Sequence, residues 1–252
     1  MQFASLGSGS KGNSTLVQAG GTSILVDCGF SLRDTLRRLD RLGVEPECID
    51  AVLVTHEHSD HSSGVAALSR KFGIPIYLTH GTYGTGRLEG GHAYHCFNCE
   101  DVLTVGELTV KAVAVPHDAA EPCQFRLQWR NSSLGILTDL GSITPHVVEN
   151  FRDCQALMLE FNHEPAMLME GPYPPHLKRR VGGDWGHLSN IQAADLLRQI
   201  DASSLAHLVV AHISEKNNSR ESAEQALLSA IDTLDRVVFA EQTTGSNWLQ
   251  IG

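Results

Sequence analysis

The sequence predicts an α/β protein in which two packed β-sheets are covered by helices, in one domain over residues 1–252. Three observations lead there. Short apolar runs of strand length recur in both halves of the chain, and capped helical segments are interspersed among them. No linker, low-complexity tract or internal repeat divides the chain. A hydrophobic content of 42% with 19% charged residues is the balance of a globular chain that buries a sizeable core.

The chain opens on three β-like pieces, Gln2–Leu6, Ser14–Ala19 and Thr22–Val26. The polar, glycine-rich loop Gly7–Asn13 separates the first two, and Gly20-Gly21 reads as a tight hairpin between the others. Leu32–Leu42 has helical spacing with arginines on its outer face, and Gly43 ends it. Ala51–Thr55 is a short apolar strand, His61–Phe72 a helix closed by Gly73, and Ile76–Thr79 another strand. From Asp101 to Leu137 the pattern is mostly β: Val102–Val105, Leu108–Val115, Phe125–Trp129 and Leu134–Leu137. Thr144-Pro145 starts a helix, with threonine as N-cap and proline at the first helical position. Ala156–Leu159 is a strand, and Ser189-Asn-Ile-Gln192 is a capping box that opens a helix running to Ile200. Leu205–Ala211 is a strand, Asn218–Glu221 opens the last long helix, and Arg236–Ala240 and Trp248–Ile251 close the chain.

The formal net charge of −10 disfavours nonspecific coating of a phosphate backbone. A phosphodiester substrate would need a local positive centre, which bound metal ions can supply. The start, Met1–Gly7, has no charged n-region, and no apolar run approaches membrane-spanning length. The expectation is a cytoplasmic protein with no membrane partner. The six cysteines are scattered through a chain large enough to need no staples, so they read as reduced thiols.

The 13 histidines are the anomaly, and their placement carries the functional reading. In Thr55-His56-Glu57-His58-Ser59-Asp60-His61, four potential ligands follow directly on an apolar strand. In an extended segment His56 and His58 point the same way, while Asp60 and His61, at the turn into a helix, reach a second point nearby. Imidazoles and carboxylates without thiolate suit zinc, manganese or iron. His117, Asp139 and His212 each follow an apolar strand, at the C-terminal end where α/β proteins place ligand-binding groups. The set divides into two metal positions: His56, His58 and His117 for one ion, and Asp60, His61 and His212 for the other, with Asp139 bridging. Two divalent ions about 3.5–4 Å apart can share a hydroxide as nucleophile and clamp the attacking and leaving oxygens.

His56-Glu-His-Ser-Asp-His61, with His117, Asp139 and His212, resembles the metallo-β-lactamase-fold hydrolase superfamily over nearly the whole chain. The resemblance implies an αβ/βα four-layer sandwich: two mixed β-sheets flanked by helices, with the dinuclear site along one edge. It also implies that Asp27, in the Asp27-Cys-Gly29 turn, supports the metal loop from behind; the plainer reading is that Asp27 only makes the turn. Asp139, where secreted β-lactamases carry cysteine, argues against that branch. Five further blocks resemble the YycJ/WalJ-type branch in order: Ser8–Ser14, Glu160–His163, Tyr173–Arg180, Gly186–Asn190 and His212–Asn218. That implies a cytoplasmic bacterial phosphodiesterase, a 5′-to-3′ DNA exonuclease with a role in DNA repair, acting on DNA in preference to RNA. Oligomeric state is left open, and a homodimer is compatible. Two other readings stand beside it: a small-metabolite ester or thioester hydrolase, and a non-catalytic metal-binding nucleic-acid adaptor.

Several residues have a role suggested by their position. Glu160 ends the strand Ala156–Leu159, and His187 precedes a capped helix. A carboxylate bonded to one imidazole nitrogen would keep His187 protonated and ready to donate to a departing alkoxide, with Asp60 and Glu160 completing the catalytic set. The alternative makes His187 only a helix-entry residue. Lys11 and Asn13, in the glycine-rich loop, are candidates to bind a substrate phosphate, against a plain strand connection. Lys178-Arg-Arg180 is a basic spot for a nucleic-acid backbone, or simply a solvated face. His163 reads as structural ahead of catalytic, and His92, His95, Cys96 and Cys99 as a loop with incidental thiols ahead of a second zinc site.

Overall fold

The computed structural model describes residues 1–252. The first half of the chain gives β1 (Gln2–Gly7), β2 (Ser14–Ala19), β3 (Thr22–Val26), α1 (Leu32–Arg41), β4 (Ala51–Leu53), α2 (Ser59–Ser62), α3 (Val65–Phe72), β5 (Ile76–Thr79), α4 (His80–Gly84) and β6 (Tyr94–Phe97). The second half gives β7 (Val102–Val105), β8 (Leu108–Ala114), β9 (Cys123–Trp129), β10 (Ser132–Leu137), α5 (Pro145–Phe151), β11 (Ala156–Glu160), α6 (Pro165–Glu170), α7 (Pro175–Val181), α8 (Asn190–Gln199), β12 (His207–Ala211), α9 (Arg220–Leu228), β13 (Val237–Phe239) and β14 (Leu249–Gln250).

They form two seven-stranded mixed sheets, in the orders β14-β1-β2-β3-β4-β5-β6 and β13-β12-β11-β10-β9-β8-β7. The period-two alternation of the central strands explains the layers. Ile24, Val26, Ala51 and Leu53 point into the space between the sheets, where they meet Phe125, Ile136, Met158 and Val209 from the other sheet. The alternate residues Leu25 and Val52 face away, with Leu39 of α1 and Leu68 of α3. Leu157, Leu159, Leu208 and Val210 do the same on the second sheet, with Phe151, Leu196 and Leu227 from α5, α8 and α9. Strands covered on both faces read as continuous apolar runs, which is how the buried segments stand out in the sequence. The result is the αβ/βα four-layer sandwich.

Beyond the short helices α4, α6 and α7, which the sequence reading does not contain, two features differ from expectation. The helix expected over His61–Phe72 is broken into α2 and α3. A Cβ at Gly64 would lie 2.0 Å from the Phe30 carbonyl oxygen, and the Gly64 N–H donates to the Cys28 carbonyl at 2.8 Å. The Asp27–Phe30 turn docks against the chain at this point, and the regular helix stops to admit it. Residues 94–97, expected as part of a loop, form β6, parallel to β5. His95 stacks on Tyr77 with ring centroids 4.6 Å apart, and its strand neighbour Cys96 faces the other way, so the two do not converge.

Candidate metal centre

Six strands bring their C-terminal ends to one edge of the sandwich. β3 leads to Asp27, β4 to the 56–61 loop, β8 to His117, β10 to Asp139, β11 ends on Glu160, and β12 leads to His212. β3 pairs parallel with β4, and β10, β11 and β12 run parallel to one another, so these ends align within each sheet. Asp27, Asp139 and His212 take positive φ angles of 59°, 57° and 51°. That left-handed conformation is costly for non-glycine residues and is kept where surrounding bonds enforce it. Each turns the chain sharply just as a strand ends, which aims the side chain back across the edge.

The metal loop is tied from behind. Asp27 accepts hydrogen bonds from the Thr55 N–H and the Thr55 hydroxyl, both at 2.8 Å, and its Oδ2 lies 2.7 Å from His61 Nδ1. Thr55 Oγ1 lies 2.9 Å from His56 Nδ1, and the Gly186 carbonyl 3.0 Å from His117 Nδ1. Glu160 Oε2 lies 3.2 Å from His212 Nδ1. Four imidazoles thus have one nitrogen occupied, which fixes ring orientation and leaves the other nitrogen for the site.

All seven sequence-predicted ligands converge. His56, His58 and His117 form one group of donor atoms, and Asp60, His61 and His212 another; His56, His61 and Asp139 form a third between them. Within each group the donor atoms lie within 4.8 Å of one another. His56 Nε2 is buried with no hydrogen-bond partner, and the buried His212 Nε2 and Asp139 Oδ2, which face Asp60 and His61, make no aligned hydrogen bond. Buried polar atoms without such a bond are rare, and three at one focus fit an occupant held between them. The charge balance says the same. Burial opposes ionisation of Asp139, yet His212 and His61 beside it hold its carboxyl well below the usual carboxylate range. Burial likewise opposes protonation of His212, but Asp139, with the Asp60 and Glu160 carboxylates beside it, raises it to about 10. Burial, with the nearby His61 charge, keeps His56 well below its ordinary 6.5, so that imidazole is already in its ligating neutral form. A centre with this much carboxylate demands cations, and the donor set fits divalent metal ions.

Above the centre opens a cavity of about 430 Å³ whose lining is mostly polar. His187 lies at its wall, 20% exposed, with Nδ1 3.2 Å from both Glu160 Oε2 and Asp139 Oδ1. Glu160 itself is fully buried and does not line the cavity; it also accepts the Leu140 and Leu188 N–H groups at 2.7 and 3.0 Å. Its position is that of a residue acting through His187 and His212. Burial would raise its carboxyl, but the His187 charge and the bonds to both histidines hold it at about 2.

The glycine-rich loop is arranged differently from expectation. Lys11 is exposed, and its ammonium is paired with Glu215 at 2.7 Å, clear of the cavity wall. Asn13 is buried: its carboxamide oxygen accepts from Ser8 and Gly9, and its Nδ2 lies 3.1 Å from His61 Nε2. It fastens the loop to the centre instead of facing substrate. Arg87 and Asp118 on the cavity wall have no counterpart in the sequence reading, which contains Tyr173 only as the start of a block and Arg180 only in a basic run; in the structure Arg180 pairs with Asp118. The Lys178–Arg180 run was the one available signal for Arg180.

His163 is 3% exposed, and its buried Nδ1 has no partner. Burial pushes it down from 6.5 to about 4. Between those values the unfolded chain binds a proton that the folded chain refuses, so stability falls as pH drops through this window. The cost is on the order of 2–3 kcal/mol by pH 4. Urea unfolding of metal-free protein at pH 6.5 and pH 4 should show His163→Gln losing less stability than wild type by about that amount; equal losses would refute it.

Comparison with known proteins places these features in a family. The model of the β-lactamase superfamily domain matches residues 22–213. The chain is 32% identical over 237 residues to the exodeoxyribonuclease YycJ of Bacillus anthracis, covering 92% of this chain and 89% of that one. It is 30% identical over 241 residues to the exodeoxyribonuclease WalJ of Streptococcus pneumoniae, covering 93% and 89%. Among solved structures, the metallo-β-lactamase-fold protein YhfI of Bacillus subtilis superposes with a TM-score of 0.78 at 19% identity, covering 98% of both chains. The chain belongs to the β-lactamase superfamily, in its YycJ/WalJ-type branch, and is a metal-dependent hydrolase of the metallo-β-lactamase fold.

Proposed function

We propose that the protein is a dinuclear-metal phosphodiesterase that degrades DNA from the 5′ end. The observation that carries the reading is the focus of buried His56, His212 and Asp139 atoms that make no aligned hydrogen bond, beneath an open polar cavity. The exodeoxyribonuclease relatives support the substrate class.

His56, His58 and His117 would hold one ion, Asp60, His61 and His212 the other, and Asp139, which reaches both groups, would bridge them. When bound, two such ions lower the pKa of a water and neutralise charge on phosphoryl oxygens. Zinc and manganese suit the donors, and iron is also accommodated. Asp27 orients His61, and Glu160 orients His187 and His212. With His187 Nδ1 held by carboxylates, its other nitrogen is the one free to protonate a departing alkoxide. Arg87 and Arg180 bring the cationic groups that a phosphate chain meets at the wall.

The test is a nuclease assay of zinc- and manganese-loaded protein on end-labelled single- and double-stranded DNA and RNA, with analysis of product ends. Release of nucleotides progressively from the 5′ end of DNA is expected. Faster cleavage of RNA would move the substrate class, and hydrolysis of acylthioesters with no action on any phosphodiester would replace the reading.

A further inference from the structure

Helix α7 separates two hollows. On one side it faces the catalytic cavity with Leu177, Arg180 and Val181. On the other it forms one wall of a groove of about 670 Å³, contributed by Lys178 and Arg179, with Gln192 of α8 on the lining as well. No carboxylate lines this groove, although the chain has 29 acidic residues and a net charge of −10; the catalytic cavity, in contrast, is lined by Asp60, Asp118 and Asp139. The groove is also lined by His163, whose buried Nδ1 lacks a partner. On this acidic molecule, a polyanion is repelled least where cations border a groove free of carboxylates.

We infer that the groove behind α7 is a second nucleic-acid track, which holds the substrate backbone beyond the nucleotide being cleaved. α7 is then the ridge over which the substrate bends, with Arg180 facing the scissile end and Lys178 and Arg179 gripping phosphates on the far side. This inference rests on the phosphodiesterase reading above and extends it to how a long substrate is held. Backbone contacts of this kind position a substrate without reading its sequence.

Steady-state kinetics of the metal-loaded full chain on a long DNA duplex and on bis-p-nitrophenyl phosphate separates the possibilities. Lys178→Glu with Arg179→Glu should raise KM for DNA at least about tenfold at low salt, and should flatten the salt dependence of log KM by roughly two in slope. Hydrolysis of the small diester should stay within about twofold, because it never reaches the groove. Gln192→Glu is the second variant: it places a charge in the groove from α8 and leaves α7 untouched. Its side-chain oxygen accepts from the Ser189 N–H in the capping box, a role that glutamate fills equally well. It should raise KM for DNA about threefold. If wild type cleaves DNA and neither variant shifts KM or the salt slope, the track is refuted while the phosphodiesterase reading stands. A parallel loss on the small diester would also refute it, since damage to the catalytic face of α7 would then explain both. Wild type that cleaves the small diester but no nucleic acid would overturn the nuclease reading and the track with it.

Discussion

Asp139→Asn is expected to lower turnover by roughly a thousandfold or more, because loss of a partner one shell further out already costs 10–100-fold at metal sites. No other carboxylate in the centre is so connected. Its Oδ2 lies 2.7 Å from His61 Nε2, and its Oδ1 lies 3.2 Å from His187, 3.5 Å from His212 and 3.9 Å from His117. It therefore borders both groups of donors and is 2% exposed. The asparagine keeps the shape and removes the charge, so the surrounding imidazoles lose their counter-ion and the two positions lose their shared ligand. Elemental analysis should find fewer than two ions per chain after loading, with the far-ultraviolet circular dichroism unchanged. Full occupancy together with wild-type turnover would refute the bridging assignment.

The ligands were legible because metal chemistry demands particular atoms and the fold supplies them at predictable places. Four lie within the six residues His56–His61, and the others follow apolar strands, of which β10 and β12 are almost wholly buried while β8, before His117, alternates. Tertiary relations were much less legible. Lys11 reads as a free cation in a glycine-rich loop, but its partner Glu215 lies 204 residues away and leaves no local mark. The same holds for Arg180 and Asp118, 62 residues apart. The break between α2 and α3 depends on a turn that docks from β3, which helical periodicity does not register. Helices α6 and α7 are different: each carries proline at its first helical position, but neither has the capping side chain that Thr144 adds before Pro145 in α5. The left-handed backbone at Asp27, Asp139 and His212 had no glycine to announce it. It was enforced by the strand ends themselves.

His187→Gln should lower kcat for DNA by about 10²- to 10³-fold while leaving metal occupancy unchanged, since a positioned general acid contributes about 10²–10⁴-fold. The leaving group decides whether the residue acts as an acid or merely shapes the wall. A deoxyribose alkoxide is strongly basic and must be protonated as it departs, whereas p-nitrophenolate leaves without help. A general acid at His187 thus predicts a large loss on DNA and a small one, under about tenfold, on bis-p-nitrophenyl phosphate. A wall residue predicts equal losses on both. Glu160→Gln provides the complementary case. It should weaken the hold on His187 and on His212 together, because one carboxylate oxygen serves both imidazoles at 3.2 Å. Its loss should therefore appear on both substrates and be accompanied by weaker metal binding, which His187→Gln does not share. If the two variants behaved alike on the two substrates, proton donation from His187 would be excluded, and the Glu160 cluster would be a scaffold for the metal ligand His212 alone.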